Sequence, residues 1–271
     1  MIELKAHEFT NVLPLFAGIK QKVLPYAICE GINPGRVFVD QRENPQTAFI
    51  WSPVGYYMLA GEPAQARDLP DISRVLTEIF VTPSQATGET GFLLITSTEA
   101  WKEHLHTLLP GREILEIYRR PFTFDPAQFT ARGDWRAHIP QGFHLHPMDA
   151  ALAEQVGVLA SWASINDFLA NGIGFALLDG ENISSVCKSA FTSRERVEIE
   201  VHTAENYQRR GFAILTASAL IEECLRRGKQ PNWECFWKNE PSSALAGKLG
   251  FTALQDYPVY FCEDKIIKEK R

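Results

Sequence analysis

Val197-Glu198-Ile199-Glu200-Val201-His202-Thr203-Ala204-Glu205-Asn206-Tyr207-Gln208-Arg209-Arg210-Gly211-Phe212-Ala213 is the stretch whose reading decides the fold. Val197, Ile199 and Val201 alternate with Glu198, Glu200 and His202, the two-residue period of a strand with one buried face. Past Gly211 the period lengthens. Ile214, Leu215, Leu220, Ile221 and Leu225 mark a long helix over Phe212 to Arg227, stopped by Gly228. A glycine turn between strand and helix has a chemical consequence. The first N–H groups of a helix have no helical partner, and the helix dipole favours an anion beside them. Arg209 and Arg210 add positive charge, and Gly211 permits a positive φ or a close backbone approach. The local physics describes a pyrophosphate site. A glycine here is also an ordinary turn, and an arginine pair also an ordinary solvated surface. No Gly-Lys-Ser/Thr follows, so the spacing is not that of a P-loop.

Outward from this stretch the pattern stays α/β. Trp233 to Trp237 reads as a strand, Pro241 to Leu249 as a short helix stopped by Gly250, and Tyr257 to Cys262 as a last strand before a charged, frayed tail, Lys265 to Arg271. On the other side, Phe143 to Pro147 suits a strand and Met148 to Leu169 one or two helices. Gly172 to Leu178 and Ile183 to Phe191 suit paired strands around Asp179-Gly180-Glu181-Asn182, where Asp-Gly signals a hairpin.

The first half has alternating elements and no chemical motif. A helix fits Val12 to Leu24, strands fit Val37 to Asp40, Ala48 to Trp51 and Tyr56 to Ala60, and a helix fits Asp68 to Phe80. Gly91 to Thr96 reads as a strand, Trp101 to Leu109 as a helix, and Ile114 to Phe124 as a long strand. Asp125 to Gln141, polar and holding Pro126, Gly133 and Pro140, reads as a linker. The expected domains are therefore 1–135 and 136–271.

Bulk properties set limits. A chain of 271 residues suits two modest domains or one large one. The 45% hydrophobic and 22% charged content is that of a globular protein. A net charge of −6 disfavours a general nucleic-acid binder, which needs surplus Lys and Arg. No apolar run approaches the roughly 20 residues that span a bilayer, and the Met1-Ile2-Glu3-Leu4-Lys5 start is not that of a signal peptide. The expectation is a cytoplasmic protein without membrane partners. The five cysteines are widely spaced and form no CxxC pair, which argues for reduced, packed thiols and against a metal site.

The turn Gln208-Arg209-Arg210-Gly211-Phe212-Ala213 resembles the Q/R-x-x-G-x-G/A signature of the GNAT superfamily of acetyltransferases. Trp233 to Asn239, followed by Ser242 to Phe251, is similar to that family's second half: a strand, an Asn, a short helix and a closing Gly-Phe. Pro231, Trp233, Cys235 and Lys248-Leu249-Gly250-Phe251 look closest to the zwittermicin A resistance-type branch. The specific resemblance covers about Val197 to Phe251, a looser one extends back to Phe143, and residues 1–135 carry none of it.

The resemblance implies a mixed α/β sheet with splayed central strands, preceded by an N-terminal α/β domain, whose alternating elements alone suggest a degenerate copy of the same fold. It implies acetyl-CoA as co-substrate, no metal, and direct transfer of acetyl to the amine of a small molecule, by a monomer or homodimer. Backbone groups of Val201 and Thr203 would pair with the pantetheine arm. Gln208 opens the signature, and Arg209, Arg210, Gly211, Phe212 and Ala213 would donate N–H groups to the pyrophosphate. Asn239 would bond near the thioester, and Ser242 or Ser243 could contact CoA or the leaving thiolate.

Acetyl transfer needs a base for the amine proton. Glu200, Glu198 and His202 are the candidates, Glu200 first by position; each is equally readable as a solvated residue on a half-exposed strand. The family's usual Tyr acid, five residues before the closing Phe, is replaced by Ala246. Ser243, Tyr207 or water would substitute, or the thiolate leaves unprotonated. Trp162, Phe168, Trp233, Phe236 and Trp237 read as core, with Trp162 and Phe168 the candidates if any of them walls the acceptor pocket. Two other readings remain: an inactive acyl-CoA-binding or sensing module, motivated by the missing Tyr, and a structural protein with a coincidental turn.

Overall fold

The computed structural model describes residues 1–63, 69–87 and 91–264, which leaves the expected frayed tail outside the described residues. Two compact units form: Met1–Tyr118 together with the strand from Tyr257 onward, and Arg119–Asp256.

The first unit is a sheet in the order β1 (Ile2–Glu3), β2 (Arg36–Val39), β3 (Thr47–Trp51), β4 (Tyr56–Gly61) and β5 (Gly91–Thr96). β4 and β5 run parallel, joined through a helix of residues 69–87, and the other pairs are antiparallel. Aromatic residues fill its core: Phe38, Phe49, Tyr57, Phe92, Trp101 and Tyr260. The helix expected over Val12 to Leu24 is a 3-10 segment, Ala6–Phe16, followed by α1 (Leu24–Cys29). Pro14 and Pro25 divide it: proline lacks the N–H an α-helix interior requires but suits a first turn. The long helix 69–87 is α2 (Leu69–Thr87), and α3 (Leu105–Leu108) precedes β6 (Arg112–Phe124), which carries the chain into the second unit.

The expected linker is structured. Asp125 caps α4 (Pro126–Thr130) by accepting from the N–H groups of Ala127 and Gln128, and Phe129 packs in the core. A 3-10 turn, Trp135–His138, buries Trp135, whose indole N–H donates to Glu222 at 2.8 Å. The compact units accordingly divide at 118/119 rather than at 135/136. Single buried aromatics in a polar segment hold it down, which composition averages away.

The second unit is built on a five-stranded sheet. β7 (Phe143–Pro147), β8 (Gly174–Asp179), β9 (Asn182–Thr192) and β10 (Arg196–Thr203) form an antiparallel meander. α5 (Ala150–Gln155) and α6 (Ile165–Asn171) connect β7 to β8, capped by Asp149 and Ser164. Asp179 pairs with Asn182 across the two-residue turn Gly180-Glu181, where Gly180 has φ 59°. α7 (Phe212–Arg226) packs over β8, β9 and β10.

The strand expected at Trp233 to Trp237 forms over Glu234–Phe236, and a further short strand precedes it. β11 (Gln230–Asn232) runs parallel to Arg196–Glu198 of β10, and β12 (Glu234–Phe236) pairs instead with Arg119–Pro121 of β6. Buried Trp233 marks the switch. β10 and the following chain diverge there. α8 (Glu240–Lys248) and β13 (Phe251–Ala253) close the unit, and β14 (Tyr257–Asp264) returns antiparallel to β5. No described helix is long and apolar enough to cross a membrane.

Candidate functional site

The divergence leaves one edge of β10 open. β11 pairs only as far as Glu198, so Ile199–Thr203 have no strand neighbour on that side among the described residues. On the other side Ala204 donates its N–H to Ser184 O at 3.1 Å. Antiparallel pairing turns alternate residues to opposite edges. The N–H and C=O groups of Val201 and Thr203 therefore face the open edge. The Gln208 side-chain amide donates to Thr203 O there, at 3.3 Å. Thr203, Ser185 and Thr216 hydroxyls, 2.9 and 3.3 Å apart, tie β10 through β9 to α7.

The open edge leads to the glycine turn. Arg209 has φ 60° and Gly211 φ 84°, both left-handed. Such alternation turns successive N–H groups into an anion-binding concavity, and here it coincides with the start of a 15-residue helix. A Cβ at Gly211 would meet no atom within 4 Å, so the glycine answers to backbone conformation, not to crowding.

Edge and turn line one cleft of about 640 Å³. Its walls include Val201, Thr203, Gln208, Arg209, Gly211, Phe212 and Ala213 on one side and Asn239, Ser242 and Lys248 of the α8 region on the other. Arg209 and Lys248 give it positive charge, and no acidic side chain lines it. Asn239 caps α8, its side-chain carbonyl accepting from the Ser242 N–H at 3.1 Å, and the Ser242 hydroxyl accepts from Trp233 Nε1 at 3.1 Å.

The remaining candidates lie elsewhere. Arg210 turns from the cleft and stacks on Phe212, Phe143 and Tyr207, with its guanidinium carbon 4.7, 5.4 and 5.6 Å from the ring centres. Ser243 is 3.5 Å from Cys235 Sγ and does not line the cleft. Buried Glu198 accepts from Asn232 Nδ2 at 2.7 Å, and half-exposed Glu200 accepts from Lys188 at 2.6 Å. His202 is exposed and outside the cleft. Trp162 and Phe168 are buried against each other, ring centres 5.4 Å apart, so they are core and not pocket walls. Phe236 and Trp237, expected in the core, are each 40% exposed. Ala246 is fully buried in the aromatic core of this unit.

Tyr207, named from the sequence only as a possible acid, lines the cleft together with Lys248 and Leu245, for which the sequence suggested no role there. The Tyr207 hydroxyl donates to Asp179 at 2.9 Å, and this bond to a carboxylate raises its pKa, which makes it a poorer proton donor.

Residues 13–260 match the model of the GNAT acetyltransferase family. The chain belongs to the GNAT acetyltransferase family. A relative, the Bacillus subtilis protein YdfB, described as an uncharacterized N-acetyltransferase, is 28% identical over 265 residues, covering 96% of this chain and 97% of that one. The crystal structure of a GCN5-related N-acetyltransferase-like protein from Streptococcus suis is similar with a TM-score of 0.71 and 24% identity, over 95% of this chain and 99% of that one. A tandem GNAT protein from the clavulanic acid biosynthesis pathway has a TM-score of 0.60 at 12% identity, over 97% and 98% of the two chains. At these identities the GNAT structures speak for the fold.

Proposed function

We propose that this GNAT protein is an acetyl-CoA-dependent N-acetyltransferase that moves acetyl to the amine of a small molecule by direct transfer in a ternary complex. The observation that carries the reading is the continuity of the open β10 edge with the left-handed turn at Arg209–Gly211 in a single cleft. An amide-bearing pantetheine arm fits a strand edge, as an added strand would. A pyrophosphate fits the turn, where backbone N–H groups, the helix dipole and Arg209 act together. Asn239, whose carbonyl is used as a cap, has its amide donors left for the thioester end, and Ser242 lies beside it.

Acceleration comes from holding amine and thioester together, with backbone N–H groups on the strand edge stabilising the developing oxyanion. Glu200 is the first candidate base and His202 the second. Glu200 is paired with Lys188 but half exposed, whereas Glu198 is buried against Asn232 and Ser243 lies against Cys235 outside the cleft. With Ala246 in the core and Tyr207 bound to Asp179, water is the remaining acid for the thiolate. A cytoplasmic location, a resistance-type ancestry of the zwittermicin A kind, and action as a monomer or homodimer complete the proposal.

Calorimetric titration of acetyl-CoA into wild type and Gly211→Asp tests it. The substitution places a side chain and a negative charge where the pyrophosphate would lie. Binding by wild type alone, followed by thiol release with a panel of small amines, is the expected result, and no binding by wild type refutes it. Binding without turnover of any amine would favour an acyl-CoA-binding module instead, the reading that buried Ala246 motivates.

A further inference from the structure

The turn at Gly211 has a second face. A separate pocket of about 200 Å³ shares Gly211 and Ile214 with the main cleft and is lined also by Arg132, Trp135, His138 and Arg210. Three basic side chains from two chain segments converge on it, and no acidic residue lines it. The neighbouring charges are accounted for. Arg136 is paired with Glu222 at 2.5 Å, and the Asp134 carboxylate caps the 3-10 turn by accepting from the Arg136 N–H. Arg132 and His138 have no such acidic partner among the described residues. Arg210 is held by its stacking on Phe143, Tyr207 and Phe212. A cation–π contact with ring faces uses none of the guanidinium N–H donors in a hydrogen bond to an acceptor.

We propose that this pocket binds the 3′-phosphate of the CoA nucleotide, with Arg132, His138 and Arg210 as its ligands. The inference rests on the acetyl-CoA reading above. A pyrophosphate seated at Gly211 brings the attached ribose to the edge of the shared residues. A phosphomonoester is the group of CoA that calls for several convergent donors in a pocket without acids. The main cleft is left to the pantetheine and pyrophosphate.

The experiment compares acetyl-CoA with acetyl-3′-dephospho-CoA by calorimetry on the full chain. Wild type is expected to favour acetyl-CoA by about tenfold or more, the size of one charge-assisted hydrogen bond. Arg132→Ala combined with His138→Ala is expected to abolish that preference while leaving affinity for the dephospho ligand unchanged, which also reports that the cleft is folded. Arg132→Lys is expected to keep part of the preference. Equal binding of both ligands by wild type overturns the proposal. So does a preference that survives in the double variant, or one that only Lys248→Ala removes. If neither ligand binds wild type, the acetyl-CoA reading itself has failed, and the proposal falls with it.

Discussion

Lys188 donates a 2.6 Å hydrogen bond to the Glu200 carboxylate across the β9–β10 pair, from a side chain 7% exposed to one 49% exposed. The buried ammonium fixes the carboxylate on the face of β10 opposite Val201. Glu200→Gln removes the counter-charge of a buried lysine. Breaking a fully buried pair costs about 3–5 kcal/mol; the half-exposed carboxylate reduces the expected loss to about 1 kcal/mol, read from urea midpoints. If Glu200 takes the amine proton, kcat falls a further 10²- to 10⁴-fold, by about the worth of general base catalysis. A kcat within twofold of wild type moves the role to His202.

Gly211→Ala separates conformation from crowding. With φ at 84° and open space around a Cβ, the expected cost is about 1–2 kcal/mol of backbone strain. Thermal unfolding should register it, with acetyl-CoA affinity falling as the turn relaxes. An unchanged melting temperature would mean that the left-handed turn is not required.

Asn239 has two separable jobs. Asn239→Ala should lose about 1 kcal/mol by uncapping α8. Asn239→Asp keeps an acceptor for the Ser242 N–H and should retain stability, yet weaken acetyl-CoA binding because the amide donors are gone. Full affinity in a stable Asn239→Asp would remove Asn239 from the ligand site.

The end of α7 sets an acid dependence. Hydrogen bonds from Arg226 and then Arg227 hold Glu223 at a pKa of about 2, against an ordinary 4.5. A carboxyl lowered in the folded state contributes its full stability above the ordinary value and loses it as pH falls toward the folded one. Melting temperature should decline from pH 5 to pH 2, and Glu223→Gln should flatten that limb while leaving pH 7 to 9 parallel to wild type.

Tyr207→Phe should leave kcat within about twofold, since its hydroxyl is committed to Asp179, and change the melting temperature little, the lost bond being partly open to solvent. A loss of two orders of magnitude in kcat would return Tyr207 to the chemistry.

Much of the second unit was legible in sequence because its signals are local. Alternation in Val197–Thr203, Asp-Gly at 179–180 and the glycine before Phe212 each express a preference of the backbone nearby, and the strand, hairpin and helix formed there. Prolines misled in the first unit, where Pro14 sits inside a 3-10 segment and Pro25 opens α1, in place of the one helix expected.

Sequence by itself determined the α/β class, the strand–turn–helix order and the glycine turn, because periodicity and left-handed φ are properties of short segments. Tertiary structure decided which side chains the site receives. The periodicity that puts Glu198, Glu200 and His202 on one face does not tell that Asn232 and Lys188 would take the first two. Nor does the pair Arg209-Arg210 tell that one would line the cleft and the other stack among three aromatic rings. Those outcomes depend on strand pairing, which sets Lys188 of β9 and Asn232 of β11 beside β10 and brings Phe143 of β7 to the turn.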